Sequence, residues 1–591
     1  MLTSISHRGP DDSGIYEDEC VSFGHVRLSI LDLSSHGHQP MAYDNLVMVY
    51  NGEVYNFREI KKELEALGYR FESSTDSEVV LKAWHCWGEE ALHKFHGMFA
   101  FTIYDKTKRR LTLCRDRVGV KPLYYIDTPE NFAFASELRA LMPISRKRID
   151  RLALAQFFTL GYITDDLAIF DDVKKLPPGH LLRYDLEKRE SELVRYWRIE
   201  EHFHPGQKSE KELINELEER LIEGIKLRMV SDAPVGVFLS GGTDSSLVSA
   251  ILQKHYGQIH TFTIGFAEAG YDESGYAAAV AKHLGTRHTQ KILGAQQAKE
   301  ILEHFVEIYD EPFGDSSGIP TYLVSQVAKE NGVKVVLSAD GGDELFCGYE
   351  RYWFTHRLGR KFHKLPLRKT MASLVGRCEP CLMRIPIKNM EHKLGFLQKI
   401  LRSDDWFAIY RTILSNYRDD IAELGLPAAA FDRAPFDFGE KIHPMQGMML
   451  WDFYNYLPHD ILVKVDRATM ANSIEGREPL LDHGIIEYAA SIPFEYKYRN
   501  GESKYILKKV LERYLPKELV YRKKMGFGIP MFEWFRNDLV DLFDRYFTDD
   551  EIIDMRYPRK MLARFKAGEY VNVNKLWFVL IYKMWRERYL A

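Results

Sequence analysis

The sequence predicts a two-domain α/β protein, in which a sheet-rich front domain precedes a parallel-sheet domain with a helical C-terminal part. The chain has 591 residues, more than a single hydrophobic core usually organises. Short β-type runs such as 46–50 (LVMVY) and 99–104 (FAFTIY) dominate the first 190 residues. After residue 213, short apolar runs alternate with helical patterns, which is typical of a parallel sheet covered by helices.

The boundary between the two domains is expected in the segment 195–211. This segment reads RYWRIEEHFHPGQKSEK, is rich in charge, and contains Pro205 and Gly206. We therefore predict one domain over 1–200 and a second over 209–591. Within the second domain, three apolar runs followed by turn residues predict buried strands at 235–239, 261–266 and 333–337.

Charge, apolar runs and cysteine content argue against several classes of protein. The formal charge of −5 is small for this length, so no nucleic-acid partner is expected. The apolar run 576–582 is far shorter than the roughly 18 residues that cross a bilayer, so we expect no membrane contact and assign this run to the buried face of a C-terminal helix. The start has no secretion pattern and six cysteines make no disulfide framework, so we predict a cytoplasmic protein and attribute the Cys378–Cys381 spacing to chance.

A loop of serines and glycines, 240–246 (SGGTDSS), follows the predicted strand 235–239 and precedes the helical run 247–253. Backbone N–H groups at a helix start carry partial positive charge, and glycines let them approach phosphate oxygens. Asp244 would repel bare phosphate, so its place in the loop implies a magnesium ion (Mg2+) bound with ATP. The alternative is a serine-glycine turn that caps a helix. The sequence GxxxxGK[ST] is absent, so the ordinary phosphate loop is excluded.

A second strand, 335–337, leads into the acidic loop 338–344 (SADGGDE). Ligands of open α/β sheets bind at the carboxyl ends of strands, so both loops can face one nucleotide. Three carboxylates within five residues repel one another unless they share a cation or a proton. A metal ligand and an acid/base group are therefore predicted here, and a solvated acidic turn remains the alternative.

Taken together, these motifs resemble the asparagine synthetase family of glutamine-dependent amidotransferases (class II amidotransferase, N-type ATP pyrophosphatase). The resemblance spans nearly the whole chain and rests on the order and spacing of several motifs. In the second half they are SGGTDSS from Ser240, SADGGDELFCGYERY from Ser338, LPHDILVKVDRATM from Leu457 and YRKKMGFGIP from Tyr521. In the first half they are HRGPDDSG from His7, HVRLSILDL from His25, NGEVYN from Asn51, SSTDSE from Ser73, GMFAF from Gly97 and RDRVGVKPLYY from Arg115.

For the second domain, the resemblance implies an ATP-pyrophosphatase synthetase. Asp244 and Asp343 would bind magnesium with pyrophosphate. Asp340 stands where known relatives have a glutamate, and it would act in forming the acyl-adenylate and in accepting a proton from ammonia. Lys524 would neutralise charge on the phosphate under attack. The remaining implied ATP-binding residues are Phe238, Ser240, Gly241, Gly242, Ser245, Ser246, Ile264, Ser338 and Ala339.

For the first domain, the resemblance implies a glutaminase with the αββα fold of N-terminal-nucleophile enzymes, truncated at its start. Arg27 would bind the α-carboxylate of glutamine, and Glu53 and Asp76 would hold its amino group. Asn51 and the backbone of Gly52 would form an oxyanion hole, which stabilises charge that develops only in the transition state.

Two features depart from the family. The family nucleophile is a cysteine at the mature N-terminus, whereas this chain begins Met1-Leu2-Thr3, so we expect an upstream segment that the sequence lacks, or else an enzyme that uses ammonia. Known relatives also bind the aspartate α-carboxylate with an arginine in a threonine-rich segment, and the corresponding segment 311–318 (EPFGDSSG) has no arginine. The acceptor is therefore aspartate or another carboxylate.

The reaction that the resemblance implies is aspartate, ATP and glutamine (or ammonia) to asparagine, AMP and pyrophosphate through a β-aspartyl-adenylate. The first alternative is a ligase that acts on another carboxylate, such as a sugar uronic acid in polysaccharide synthesis, or one that forms an intramolecular amide. A catalytically silent sensor of nucleotide or glutamine is the second alternative. A homodimer is implied by the resemblance alone.

Overall fold

The computed structural model describes residues 1–204, 206–268, 270–362, 365–382, 390–417, 420–428, 442–522 and 528–590. Lys524, one of the predicted catalytic residues, lies outside the described residues. The front half contains the strands β1 (Asp12–Glu17), β2 (Ser22–Arg27), β3 (Met41–Tyr43), β4 (Leu46–Val54), β5 (Gly97–Asp105), β6 (Arg110–Arg115), β7 (Tyr124–Asp127), β8 (Phe132–Ala135), β9 (Val173–Lys175), β10 (His180–Asp185) and β11 (Glu190–Arg195). Its helices are α1 (Phe57–Ala66), α2 (Asp76–Trp87), α3 (Ala91–Lys94), α4 (Leu138–Leu141) and α5 (Arg151–Leu160).

The front half is built on a six-stranded antiparallel sheet in the order β11-β10-β6-β5-β4-β3. Side chains alternate across the central strand β4, because successive residues of a strand point to opposite faces. Met48 and Tyr50 belong to the core that contains α1 and α2. Val47 and Val49 belong to the core beneath the three-stranded sheet β8-β7-β9.

The three-stranded sheet is covered on its outer side by the helices α4 and α5. Ile126 of β7 shares one buried core with Leu138 of α4 and Phe157 of α5. The layers therefore run helix, sheet, sheet, helix, which is the αββα arrangement that the resemblance implied. The same core continues into the second half, where it includes Phe262 and Phe578.

The second half is organised by a parallel sheet in the order β14-β13-β12-β15-β16. Its strands, with a short hairpin that follows, are β12 (Val235–Phe238), β13 (His260–Phe266), β14 (Arg287–Leu293), β15 (Val335–Leu337), β16 (Glu475–Arg477), β17 (Tyr498–Arg499) and β18 (Glu502–Ser503). The strand order reverses at β12, which pairs with β13 on one side and with β15 on the other. The crevice between β12 and β15 is therefore a topological switch point, where ligands of open α/β sheets bind.

Helices cover both faces of the parallel sheet, as the sequence predicted. Val237 packs with Leu221 and Ile251 on one face, and Val336 packs with Leu323 on the other. The helices are α6 (Glu210–Leu227), α7 (Thr243–Tyr256), α8 (Ser274–Leu284), α9 (Ala295–Glu303), α10 (Phe305–Ile308), α11 (Gly318–Glu330), α12 (Gly342–Phe346), α13 (Glu350–Phe362), α14 (Arg368–Leu382), α15 (Met390–Arg402), α16 (Trp406–Leu414), α17 (Pro444–Tyr454), α18 (Leu462–Met470), α19 (His483–Ser491), α20 (Phe494–Lys497), α21 (Tyr505–Leu511), α22 (Lys517–Val520), α23 (Met531–Arg536), α24 (Val540–Tyr546), α25 (Arg556–Lys566) and α26 (Val573–Leu590).

Apart from the short strands β16, β17 and β18, the described region after α12 is dominated by helices, which confirms the predicted helical C-terminal part. The run 576–582 lies in α26 and is buried throughout, as predicted. None of the helices in the described ranges combines the length and the apolar character needed to span a bilayer.

Candidate active sites

A cavity of about 550 Å³ in the front half and one of about 660 Å³ in the second half contain nearly all of the predicted site residues that are described. The second cavity lies at the carboxyl ends of β12, β13 and β15, at the switch point of the sheet. Only Ser246 among the described predicted residues of this half does not line it, because its side chain is buried inside α7. The residues that do are Phe238, Ser240, Gly241, Gly242, Asp244, Ser245, Ile264, Ser338, Ala339, Asp340 and Asp343.

The phosphate loop turns tightly between β12 and α7. Gly241 has φ +71°, and a Cβ at this position would lie 2.7 Å from the backbone nitrogen of Ala277, so the close approach of α8 requires glycine. Gly242 is the residue that precedes the first turn of α7. The hydroxyls of Ser240 and Ser245 lie 3.0 Å apart beside these backbone groups. The loop therefore offers hydroxyl and N–H donors to an anion at the start of a long helix.

Two of the predicted carboxylates converge on one lysine. The Nζ of Lys504 donates to Asp244 and lies 2.8 Å from Oδ1 of Asp343. Burial opposes the charged ammonium, but the two carboxylates outweigh it and raise the pKa of Lys504. A positive charge is thus held where the carboxylates meet. Carboxylate oxygens beside a phosphate loop also suit magnesium, so the donor set fits the cation that the sequence implied.

Asp340 lies on the same loop as Asp343. The Ser338 hydroxyl donates to Oδ2 of Asp340 at 2.5 Å. Burial raises the pKa of Asp340. Lys464 and the hydrogen bond from Ser338 lower this pKa, whereas the nearby Asp244 and Asp343 raise it, and the net result is an increase. An elevated pKa makes this carboxylate a better proton acceptor than an ordinary surface aspartate.

Lys464 is a second lysine in the synthetase cavity. Its Nζ donates to Oδ2 of Asp315 at 2.9 Å and to Oγ of Ser317 at 3.1 Å. Asp315 and Ser317 belong to the segment 311–318, which contains no arginine. The sequence did not identify Lys464 or Lys504, because a single lysine outside the recognised loops carries no signal of its own. Lys464 does lie within the motif LPHDILVKVDRATM, which marks a position of interest but not a role.

The front cavity is lined by all of the predicted glutamine-binding residues, which are Arg27, Asn51, Gly52, Glu53 and Asp76. Gly52 has φ +153°, and a Cβ there would lie 2.2 Å from the carbonyl oxygen of Met98 on β5. Only glycine therefore fits at this position. Asn51 precedes it on β4, and its Nδ2 lies 3.5 Å from the hydroxyl of Ser136.

Acidic side chains of the front cavity are deeply buried. Asp76 accepts hydrogen bonds from the Tyr50 hydroxyl at 2.5 Å and from the backbone N–H of Val54 at 2.9 Å. Oε2 of Glu53 accepts a hydrogen bond from Arg477 of β16 at 3.1 Å, whereas Oε1 of Glu53 has no hydrogen-bond partner among the described residues. An uncompensated buried oxygen is costly, so this atom is available to a cationic ligand group.

Arg27 is the remaining predicted glutamine-binding residue. In the structure its guanidinium donates to the backbone carbonyls of Leu31, Asp32 and Ser34. Gly37 packs against it, since a Cβ there would lie 1.9 Å from Nη2 of Arg27. The surrounding loop thus fixes the guanidinium at the wall of the cavity.

Buried ion pairs join the two halves beside the front cavity, whose lining includes Arg8, Glu53 and Glu475. Arg8 donates to Glu137 at 2.9 Å and to Asp466 at 2.8 Å, and Arg477 links Glu53 to Glu475. Removing one partner of such a buried pair leaves an uncompensated charge, which costs about 3–5 kcal/mol. Each half therefore depends on charges supplied by the other.

If Asp76 holds the amino group of glutamine as the sequence predicts, the glutamine affinity should depend on pH, because burial raises the pKa of this carboxyl to about 6. Below this value the carboxyl is protonated and would no longer attract an ammonium group. We expect the dissociation constant for glutamine, measured by calorimetry, to rise as the pH falls from 7 through about 6. The Asp76→Asn variant should bind weakly at every pH. If wild-type affinity stayed constant across this range, Asp76 would not hold the amino group.

The fold and the two cavities fit the class of ATP-dependent amidotransferase ligases. The chain belongs to the asparagine synthase family, whose family model matches residues 216–587. A glutamine amidotransferase domain model matches residues 1–197. The chain is thus an enzyme of the asparagine synthase type.

Among the curated relatives of this chain, two are named as asparagine synthetases and one as an amidase. "Asparagine synthetase [glutamine-hydrolyzing] 1" of Bacillus subtilis (strain 168) is 32% identical over 598 residues, which cover 99% of this chain and 92% of the relative. "Putative asparagine synthetase [glutamine-hydrolyzing] 2" of Methanocaldococcus jannaschii is 35% identical over 507 residues, covering 80% and 94%. "Amidase chry2" of Gibberella zeae is 26% identical over 582 residues, covering 90% and 85%.

Proposed function

We propose that this enzyme converts aspartate to asparagine with ATP, and that glutamine or ammonia supplies the nitrogen. The observation that carries the proposal is the meeting of the phosphate loop 240–246 with Asp244, Asp340 and Asp343 in one cavity at the switch point. Activation of a carboxylate with ATP needs carboxylates that bind a cation, a group that accepts a proton, and hydroxyl or N–H donors that bind the phosphates. We further propose that residues 1–200 form the glutaminase domain and 209–591 the synthetase domain.

The first half-reaction joins the acceptor carboxylate to the α-phosphorus of ATP and releases pyrophosphate. We assign the phosphates to the donors of the loop 240–246, and the adenosine to the wall formed by Phe238 and Ile264. Magnesium held by Asp244 and Asp343 would supply charge neutralisation for the leaving pyrophosphate. Lys504 adds a fixed positive charge at the same place. Charge that develops in the transition state is thus met by groups already in position.

In the second half-reaction ammonia attacks the acyl carbon of the β-aspartyl-adenylate, and AMP leaves. Ammonia must lose a proton as the new C–N bond forms. We assign this proton to the carboxylate of Asp340, whose raised pKa suits it to accept one. Ser338 fixes the orientation of this carboxylate through its hydroxyl.

The acceptor subsite is assigned to Asp315, Ser317 and Lys464. Lys464 would bind a carboxylate and Asp315 an ammonium group, a pair that matches the α-carboxylate and α-amino group of aspartate. The segment 311–318 has no arginine, so a second candidate acceptor is a carboxylate without an amino group, such as a sugar uronic acid. That acceptor would need Lys464 but not Asp315.

The experiment that tests these proposals measures pyrophosphate release with ATP, magnesium and ammonium chloride over a panel of carboxylates. Aspartate should give the highest rate. The Asp315→Asn variant should lose aspartate turnover, and a uronic acid that remained active with this variant would indicate the second candidate. Absence of pyrophosphate release with every acceptor would contradict both ligase proposals and favour a sensor.

Asp340 provides a sharper test within the same assay. We expect Asp340→Asn to lower steady-state pyrophosphate release with ammonium roughly a hundred-fold, because the amide accepts no proton from ammonia and the adenylate is therefore consumed slowly. Asp340→Glu should retain activity, since it restores the carboxylate one methylene further out. Equal rates for the Asn variant and the unmodified enzyme would refute the assigned role.

A further inference from the structure

Two histidines and one aspartate come together where the two halves of the chain meet. His96 directly precedes β5 in the front half, and Asp482 and His483 lie at the start of α19 in the second half. One ligand atom from each of these three side chains lies within 4.8 Å of the other two. Neither the front cavity nor the synthetase cavity includes any of the three residues, so the cluster is separate from both candidate active sites.

The spacing of the cluster is close to that of a metal site. Nδ1 of His96 lies 3.6 Å from Oδ2 of Asp482, and the ring centroids of His96 and His483 are 3.8 Å apart. Zinc bonds of about 2.0–2.1 Å in a tetrahedron place neighbouring ligand atoms about 3.4 Å apart. The three side chains therefore need only small movements to share one ion.

The Nδ1 nitrogen of His96 gives a second, independent indication of a ligand. This atom is buried and has no hydrogen-bond partner among the described residues. A buried ring nitrogen without a partner is costly, and an ion bound to it would remove that cost. The His96 side chain as a whole is 36% exposed, so an ion and a water molecule can reach the cluster from solvent.

Asp482 is already oriented by groups behind it. Its Oδ1 accepts a hydrogen bond from the backbone N–H of Gly484 at 2.9 Å, and its Oδ2 accepts one from Arg228. Carboxylates that bind metals are usually held by such outer hydrogen bonds. An ionised carboxylate has about four lone-pair sites, so these two contacts leave it able to bind an ion as well.

We propose that His96, Asp482 and His483 bind a zinc ion, with water as the fourth ligand, and that this ion fastens the front half to the second half. Two imidazoles and one carboxylate are common zinc ligands, and such three-residue sites keep the fourth position for water. Magnesium and calcium select oxygen ligands, so they fit this set poorly. The zinc ion would therefore be distinct from the magnesium that we assign to the synthetase cavity.

The position of the cluster indicates what a bound ion would stabilise. The carbonyl oxygen of His96 accepts a hydrogen bond from the N–H of Tyr55 at 2.8 Å, and the N–H of His96 donates to Oδ1 of Asn56 at 2.9 Å. Tyr55 directly follows β4, and its ring lies 4.5 Å from the guanidinium of Arg228. Zinc would therefore hold the end of β4 against α19. The proposal does not depend on which carboxylate the enzyme amidates.

The test is zinc binding by the full chain after treatment with a chelator, measured by calorimetry. His96→Gln and His483→Gln each remove one ligand and keep a polar side chain of similar size. We expect each variant to bind zinc on the order of a hundred-fold more weakly than the unmodified chain. Cobalt(II) in place of zinc should give the visible absorption of a tetrahedral ion in the unmodified chain and not in the variants. Zinc should raise the unfolding temperature of the unmodified chain alone, because it binds the folded state.

His304→Gln is the matched control. The His304 side chain is 70% exposed and lies 3.4 Å from Glu307, but it does not belong to the cluster, so this variant should bind zinc as the unmodified chain does. Asp482→Asn is unsuitable, because Asp482 also pairs with the buried Arg228 and caps α19. Without zinc, the three histidine variants should release pyrophosphate at the unmodified rate, which shows that the fold persists.

Three outcomes would overturn the proposal. In the first, the unmodified chain binds no zinc. In the second, His96→Gln and His483→Gln bind zinc as tightly as the unmodified chain. In the third, zinc binding is lost in Asp343→Asn but kept in both histidine variants, which would locate the ion in the synthetase cavity instead.

Discussion

Asp244→Asn and Asp343→Asn should each lower pyrophosphate release by roughly a hundred-fold or more. Both carboxylates line the synthetase cavity beside the phosphate loop and converge on Lys504. An asparagine keeps the shape of the side chain but removes the charge that a hard cation needs. The lost charge also leaves the ammonium of Lys504 with one carboxylate instead of two.

The magnesium dependence of the residual activity separates loss of a ligand from damage to the fold. Each variant should need a higher magnesium concentration for half-maximal rate than the unmodified enzyme, while its thermal unfolding temperature changes little. Asp549→Asn, at a side chain that is 94% exposed, is the matched control and should behave as the unmodified chain. Near-normal turnover by either site variant at low magnesium would refute the metal assignment.

Much of the architecture followed from apolar periodicity. The predicted strands at 235–239 and 261–266 differ from β12 and β13 by one residue at one end. The edge strand β16, with the sequence Glu-Gly-Arg, could not be predicted, because it has no apolar residue. It is stabilised by tertiary contacts, since the buried Arg477 pairs with Glu475 and Glu53. Whether a charged residue such as Arg477 can be buried depends on ion-pair partners elsewhere in the chain, which no local sequence pattern reveals.

The candidate site likewise contains residues that the sequence could predict and residues that it could not. Residues on the two loops after β12 and β15 were predictable, because strand, turn and helix start follow one another along the chain. Lys504 is 260 residues away from Asp244, yet it donates to that carboxylate. Lys464 reaches Asp315 across 149 residues. Long-range pairing of this kind depends on how the helices pack, so a sequence pattern identifies only the partner that sits in a motif.

Gly348 should be as sensitive as the carboxylates themselves, although it has no side chain. A Cβ at this position would lie 1.9 Å from Oδ1 of Asp343 and 2.1 Å from Cε of Lys504. Both contacts are with the ends of flexible side chains, so Gly348→Ala can fold if Asp343 and Lys504 move aside. Displacing reacting groups by about 1 Å can cost a hundred-fold in rate.

We therefore expect Gly348→Ala to release pyrophosphate roughly ten- to a hundred-fold more slowly, with little change in its thermal unfolding temperature. Gly395→Ala is the matched control, because a Cβ there has nothing within 4 Å and alanine is favoured inside the helix α15. Glutamine binding should be unchanged in both variants, since the front cavity does not include either glycine. A Gly348→Ala enzyme with normal turnover would show that Asp343 and Lys504 need not hold the positions they have in the structure.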